Sequence, residues 1–133
     1  CLHAIGNLFG LILNNVELGE NRTKKLCTEL SDTAIQNLSL SHVKLSHINR
    51  LTLQGLQGTN LTVLNLSKNS LSVIEDDSFQ WLSKLEYLNL EDNNIINVSS
   101  HLFYGLSSIT HLSLINSLTG KIEDFSFQWL HHL

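Results

Sequence analysis

Proline and methionine are absent from this 133-residue chain, and cysteine occurs only as Cys1 and Cys27. Two cysteines are too few for a disulfide scaffold, and no C-x-x-C or Cys/His ligand spacing suggests zinc. Charge is also sparse. Eight Lys and Arg stand against 12 Asp and Glu, a formal −4 that gives no general attraction to nucleic acid or an anionic membrane at neutral pH. The 7 histidines would carry that balance from −4 to at most +3 if all were protonated. Apolar runs fall far short of the roughly 18 to 20 residues a membrane span needs, while a hydrophobic content of 42% is too high for disorder. The opening Cys1-Leu2-His3-Ala4-Ile5 lacks the basic region, apolar stretch and small-residue cleavage site of a secretory signal. These bounds describe a core-forming segment, either one modest domain or a piece of something longer.

Motifs of catalysis are missing as well. Gly55, Gly58, Gly105 and Gly120 are not spaced to cradle phosphate, and no G-x-S-x-G or P-loop pattern occurs. Asp76-Asp77 and Glu91-Asp92 lack the glycine and spacing of a calcium loop. His131 and His132, beside Trp129, project in different directions with no carboxylate fixed to either. His42 and His111 lie in or next to strand motifs and read as exposed imidazoles without partners. No catalytic residue, metal ligand or cofactor is expected, and the chain is not expected to be an enzyme.

What the chain has in abundance is leucine, 28 of 133 residues, set in a ladder of the form L-x-x-L-x-L-x-x-N-x-L. The clearest copy is Leu61, Leu64, Leu66, Asn69, Leu71, Ile74, Phe79 and Leu82. The next is Leu85, Leu88, Leu90, Asn93, Ile95, Val98, Phe103 and Leu106. The ladder divides the chain into a partial repeat 1–7, repeats 8–34, 35–60, 61–84, 85–108 and 109–132, and a further repeat opening at Leu133. Such a period predicts an α/β leucine-rich-repeat solenoid, a horseshoe segment with a parallel β-sheet on its concave face and short helical or irregular structure on its convex side. Phe79, Phe103 and Phe127 are expected to stack as a convex spine, and Asn69 and Asn93 to turn inward and satisfy backbone groups of adjacent coils. Val16, Val43 and Ser117 fill the asparagine slot elsewhere, so their turns are expected to be irregular. Cys27 is expected to be a small buried hydrophobe, and a bridge to Cys1 would need close convex coils. With neither end capped, the chain reads as an internal segment of a longer array.

Five N-x-S/T sequons, at Asn21, Asn37, Asn60, Asn65 and Asn97, are candidate glycosylation sites that would place the chain in the secretory pathway. Third, fifth and seventh slots alternate outward from each strand onto the concave face. Asn37 and Asn65 occupy such slots, so their sugars would cover that face. Its other members, including Ser39, Ser41, Val63, Ser67, Tyr87, Asn89, Glu91, His111 and Ser113, form no aromatic or arginine anchor cluster.

Specific words within the ladder carry a resemblance. His3-Ala4-Ile5-Gly6, Leu8-Phe9-Gly10-Leu11, Leu13-Asn14-Asn15-Val16, Thr59-Asn60-Leu61-Thr62, Leu85-Glu86-Tyr87 and Asp124-Phe125-Ser126-Phe127-Gln128-Trp129-Leu130 resemble the middle of a Toll-like receptor ectodomain, of the branch that senses double-stranded RNA in endosomes. The resemblance implies an innate-immune receptor with a single membrane span. Its partners would be double-stranded RNA, a second receptor copy, and a cytoplasmic adaptor reached through a domain absent here. It also implies RNA contacts near the two ends of the horseshoe, so no RNA-binding residue is assigned in this segment. The family usually carries a longer loop, associated with proteolytic processing, in the repeat that begins at Ile109; here Asn116-Ser117-Leu118-Thr119-Gly120 keeps the bare period. The competing reading is an extracellular adhesion or matrix protein that holds a protein ligand on the concave face.

Overall fold

The computed structural model describes residues 8–133; Cys1, the partial repeat 1–7 and any bridge from Cys1 to Cys27 lie outside them. Five short strands form one parallel sheet: β1 (Gly10–Asn14), β2 (Asn37–Ser41), β4 (Val63–Asn65), β6 (Tyr87–Asn89) and β8 (His111–Ser113), in the order β1-β2-β4-β6-β8. The register pairs Leu11 with Leu38, Leu38 with Leu64, Leu64 with Leu88 and Leu88 with Leu112, so each strand follows its neighbour by one repeat. Alternation then decides the faces. Leu38, Leu40, Leu64 and Leu88 are buried, while Asn37 and Tyr87 between them are exposed. Each coil covers its leucines only with the coils beside it, which is why a pattern so regular yields a continuous core.

A second layer of parallel pairs follows the turn out of the main sheet: β3 (His47–Ile48) with β5 (Val73–Ile74), and β7 (Ile95–Val98) with β9 (Leu118–Ile122). The convex return differs between coils. In the 27-residue coil 8–34 it is a helix, α1 (Gly19–Glu29), whose buried residues Thr23 and Cys27 are followed by buried Leu30, at helical spacing. Helical phase therefore buries Cys27 completely, while Leu26, the ladder residue, is only partly buried. Burial in that apolar wall pushes the Cys27 thiol up to about 12. Coil 35–60 returns through a short 3-10 helix, Gln54–Leu56, and the three coils after it through turns on which phenylalanines stack. Phe79 and Phe103 have centroids 6.3 Å apart and planes 13° apart, and Phe103 and Phe127 are 5.7 Å and 17° apart. The first two rings are fully buried; Phe127, the outermost, is 41% exposed.

Asn69 and Asn93 are almost completely buried and make equivalent bonds. Asn69 Oδ1 accepts from the Val43 and Leu45 N–H groups of the preceding coil at 2.9 and 3.4 Å. Its Nδ2 donates to the carbonyls of Leu40, Leu66 and Ser67 at 2.7, 3.0 and 3.2 Å. Asn93 Oδ1 accepts from Asn69 and Leu71 N–H at 3.1 and 2.9 Å, and its Nδ2 reaches the carbonyls of Leu66, Leu90 and Glu91. Where the slot lacks asparagine, a main-chain carbonyl takes over. Val43 O accepts from Leu18 and Gly19 N–H, both at 3.0 Å, and Ser117 O accepts from Ile95 N–H at 2.7 Å. The substitution costs register: Ile95 pairs with Leu118, but Asn97 pairs with Lys121, and a bulge takes up the slip. The segment Asn116 to Gly120 thus runs from a turn into the start of β9, and the buried Ser117 hydroxyl is left without a partner.

One feature recurs in every coil. Asn15, His42, Lys68, Asp92 and Asn116 all hold positive φ, between 52° and 59°, at the eighth slot. The chain must turn left-handed there to leave the sheet, and polar side chains rather than glycine occupy the position.

Candidate functional site

The polar residues of the concave sheet are tied together across strands. Asn65 Nδ2 donates to Ser39 Oγ at 3.2 Å, Ser67 Oγ to Ser41 Oγ at 3.3 Å, and Ser113 Oγ to Glu91 Oε1 at 2.6 Å. Asn65 Oδ1 also accepts from Ser67 N–H at 3.0 Å, and Asn89 Oδ1 from Glu91 N–H at 2.8 Å, so these side chains brace their own strand ends. Near β1 the face changes character. Gly10, Leu11, Ile12, Asn37, Leu38, Ser39, Val63, Asn65, Tyr87 and Asn89 line a trough of about 730 Å³.

The sequons are distributed over four places. Asn37 is exposed on β2 and Asn65 half-buried on β4, both on the concave sheet. Asn60 is exposed just before β4, where Lys84 Nζ donates to its Oδ1 at 3.0 Å. Asn97 is exposed in β7, and Asn21 is exposed on α1, where the Thr23 of its sequon is buried with its hydroxyl on the Gly19 carbonyl at 2.6 Å. The acceptors therefore form no single cluster.

Both singled-out histidines have neighbours, contrary to the expectation of partnerless imidazoles. His42 Nδ1 lies 2.8 Å from Asn15 Oδ1 on the turn edge of the preceding coil. His111 Nδ1 lies 2.9 Å from Thr110 Oγ1, with its ring 6.0 Å from that of Tyr87. Elsewhere His47 Nε2 stands 3.6 Å from Glu75, and His101 Nδ1 3.6 Å from Asp77. His101 also packs on Tyr104 and Trp129, with centroids 6.0 and 5.3 Å away. The Ser46 hydroxyl, donating at 2.7 Å, holds the Glu20 carboxyl below its ordinary range. Asp76-Asp77, Glu91-Asp92 and His131-His132 join no larger group: among the described residues no three His, Cys, Asp or Glu side chains gather as metal ligands.

A five-residue word was legible but overlooked: Ser78-Phe79-Gln80-Trp81-Leu82 recurs as Ser126-Phe127-Gln128-Trp129-Leu130, two coils on. Both copies clip onto the coil before. Trp81 Nε1 donates to Arg50 O at 2.8 Å and Trp129 Nε1 to Ser100 O at 2.7 Å. Ser126 Oγ donates to Val98 O at 3.0 Å, with Ser78 Oγ facing Ile48 O in the same way at 3.5 Å. In the coil between, Gly105 takes the tryptophan slot with φ +95°, and a Cβ there would lie 2.5 Å from Gln80 Cα. Ile12, 76% exposed in a fifth slot, was equally legible from alternation.

A family model described as Leucine rich repeat matches residues 59–118. The chain is 55% identical to Toll-like receptor 3 of Boselaphus tragocamelus and 52% identical to that of Homo sapiens, each over 98% of its length and 15% of the relative's. Toll-like receptor 3 of Mus musculus is 47% identical over 100% of the chain and 16% of its own length. The chain therefore spans less than a sixth of these relatives. No helix among the described residues is long and apolar enough to cross a membrane. Parallel coils, the buried asparagine turns and a likeness that runs from end to end make the chain a leucine-rich-repeat segment similar to part of Toll-like receptor 3.

Proposed function

We propose that this segment is a glycosylated spacer in the ectodomain of a receptor that senses double-stranded RNA and signals by ligand-induced dimerisation. The receptor would sit in the endosomal membrane with this segment on the luminal side. The observation that carries the reading is the end-to-end likeness of 47–55% to Toll-like receptor 3. Surface chemistry supports a passive role for this part. Duplex RNA is recognised mainly through phosphates and shape, which calls for clustered cations. Here the net charge is −4, and the concave strands carry mainly Asn, Ser and Tyr with the single histidine His111 in place of a basic row. Lys44, one of the lysines on the turn edge, stands 3.5 Å from Glu17.

A spacer acts through length. Each coil advances the array by about 4.8 Å, the separation of neighbouring strands. Removing residues 85–108 from the complete receptor would shift its two halves by about one such step and rotate them by one coil's share of the curvature. RNA-driven dimerisation and signalling are expected to collapse while the receptor is still made and reaches its membrane. Signalling equal to the parent's would overturn the spacer role. The adhesion-type alternative requires a bare concave face and a protein ligand seated on it.

A further inference from the structure

Asp77, His101 and Phe125 hold the same slot in three successive coils, and Leu51 holds it in the coil before. Leu51 and Phe125 are exposed there, so the row is apolar except for one carboxylate beside one imidazole. His101 Nδ1 lies 3.6 Å from Asp77 Oδ1, too far for a hydrogen bond and close enough for an ion pair. That oxygen is buried and accepts no hydrogen bond. A buried acceptor left empty is costly, and a charged imidazole is the donor placed to fill it.

The ring's other neighbours suit a cation as well. Its centroid is 6.0 Å from that of Tyr104 in its own coil and 5.3 Å from that of Trp129 in the following coil, and those two rings meet edge-on at 5.0 Å. Aromatic rings at that range attract positive charge. The carboxylates bonded to the residues just before His101 add to the pull: Ser99 donates its hydroxyl to Asp76, and Ser100 N–H donates to Glu123 Oε2 at 3.1 Å. Among the described residues no Lys or Arg forms an ion pair with Asp76, Asp77 or Glu123.

We propose that His101 is an acid-closed clamp: on gaining a proton it binds Asp77 of coil 61–84 and the rings of Tyr104 and Trp129 together, and so locks three successive coils on the convex side. Imidazoles charge between about pH 5 and 8. One proton passes from solvent to the ring, both nitrogens then bear hydrogen, and Nδ1 becomes an obligatory donor toward Asp77. The closed junction favours the proton-bearing ring, so stiffness is gained as pH falls and lost as pH rises. A stiffer array holds the spacing of distant sites more closely. That use of the clamp rests on the endosomal reading of the segment, whereas closure itself needs neither RNA nor a membrane. The Asp77 N–H, given to His101 O at 3.2 Å, spans the same junction and reports its opening.

The test uses the complete ectodomain without RNA. Hydrogen exchange at single amides is timed at pH 7.5 and pH 5.5, and each rate is corrected for that of an unstructured peptide at the same pH. Protection of the Asp77 N–H is expected to rise about fivefold on acidification, the gain of one half-exposed ion pair and one cation–π contact, while that of Leu66 N–H in the sheet holds. His101→Gln should abolish the rise. Asp77→Asn, whose side chain tolerates the left-handed φ of +64°, should abolish it too and carries the same readout if the first variant is not secreted. Tyr104→Leu should reduce the rise about twofold. His47→Gln, which removes the imidazole 3.6 Å from Glu75, should leave it intact. A rise that survives His101→Gln or Asp77→Asn, or that His47→Gln abolishes equally, overturns the clamp, and an undiminished rise in Tyr104→Leu overturns the part given to the rings. A parent that shows no rise overturns the clamp as well and leaves the spacer reading to the coil deletion, whose readout is signalling.

Discussion

Replacing Asn93 by alanine strands two buried donors at once. The N–H groups of Asn69 and Leu71 lose the Oδ1 that lies 3.1 and 2.9 Å away. Each unsatisfied buried donor costs about 1–3 kcal/mol, so the pair should cost about 3 kcal/mol after local relaxation. The carbonyls of Leu66, Leu90 and Glu91 also lose a donor, which keeps the figure from falling lower. Because the damage is local, hydrogen exchange resolved to single amides is the assay. About 3 kcal/mol corresponds to a loss of protection of about a hundredfold at Asn69 and Leu71, while amides of the α1 coil should hold theirs. Asn94→Ala, one residue away and exposed, should change protection by less than about 0.5 kcal/mol and serves as the control. Protection at Asn69 and Leu71 that matches the Asn94 variant would refute the idea that the inward asparagine holds the turn.

The glycines should separate by what surrounds them. Gly105→Ala drives a Cβ to 2.5 Å from Gln80 Cα at φ +95° and should cost more than about 3 kcal/mol, whereas Gly58→Ala, at φ +84° with nothing within 4 Å, should cost only about 1 kcal/mol; thermal unfolding of both would check the order. Ser117→Ala removes a buried hydroxyl that has no partner, so unfolding should shift by less than about 0.5 kcal/mol in either direction, in contrast to Asn93→Ala. Trp81→Phe removes the indole donor to Arg50 O and should cost about 1 kcal/mol or more, seen as a lower denaturation midpoint. Cys27 has its thiol pushed from 9.0 to about 12. Its neutral form therefore supports the fold below pH 9, and that contribution is lost as pH rises toward 12. Mass spectrometry should accordingly find Cys27 unalkylated in the native protein at pH 8 and fully alkylated after denaturation.

The ladder made the sheet legible because a strand's side-chain period is two and leucine marks every inward position from Leu38 to Leu112. Asn69 and Asn93 were legible for a different reason: a buried amide needs partners, and only a tight turn supplies both kinds. What stayed hidden depends on neighbours. Coil 8–34 has a helical return because Thr23, Cys27 and Leu30 share a face, a pattern masked by the stronger ladder leucine Leu26. The bulge near Gly120 arises from the position of a carbonyl, and carbonyls are the same in every residue. The trough on the concave face needed curvature as well as sequence, since Ile12 and Tyr87 are 75 residues apart yet line one depression. The repeated Ser-Phe-Gln-Trp-Leu word was plainly readable, but its meaning lay in which carbonyls Trp81 and Trp129 reach.

The way each turn is held governs which coils can change length. An asparagine amide is a fixed fork, satisfied only when one residue stands at one height, and the two coils that own such a fork, 61–84 and 85–108, both keep 24 residues. A main-chain carbonyl is available at every position, so a coil held by one can gain or lose a residue and offer the next carbonyl instead. The coil that owns Val43 has 26 residues, and the coil that owns Ser117 slips by one against its neighbour. Insertions and deletions should therefore gather at the carbonyl-held turns, with the asparagine-held pair as the part of the array whose pitch cannot drift.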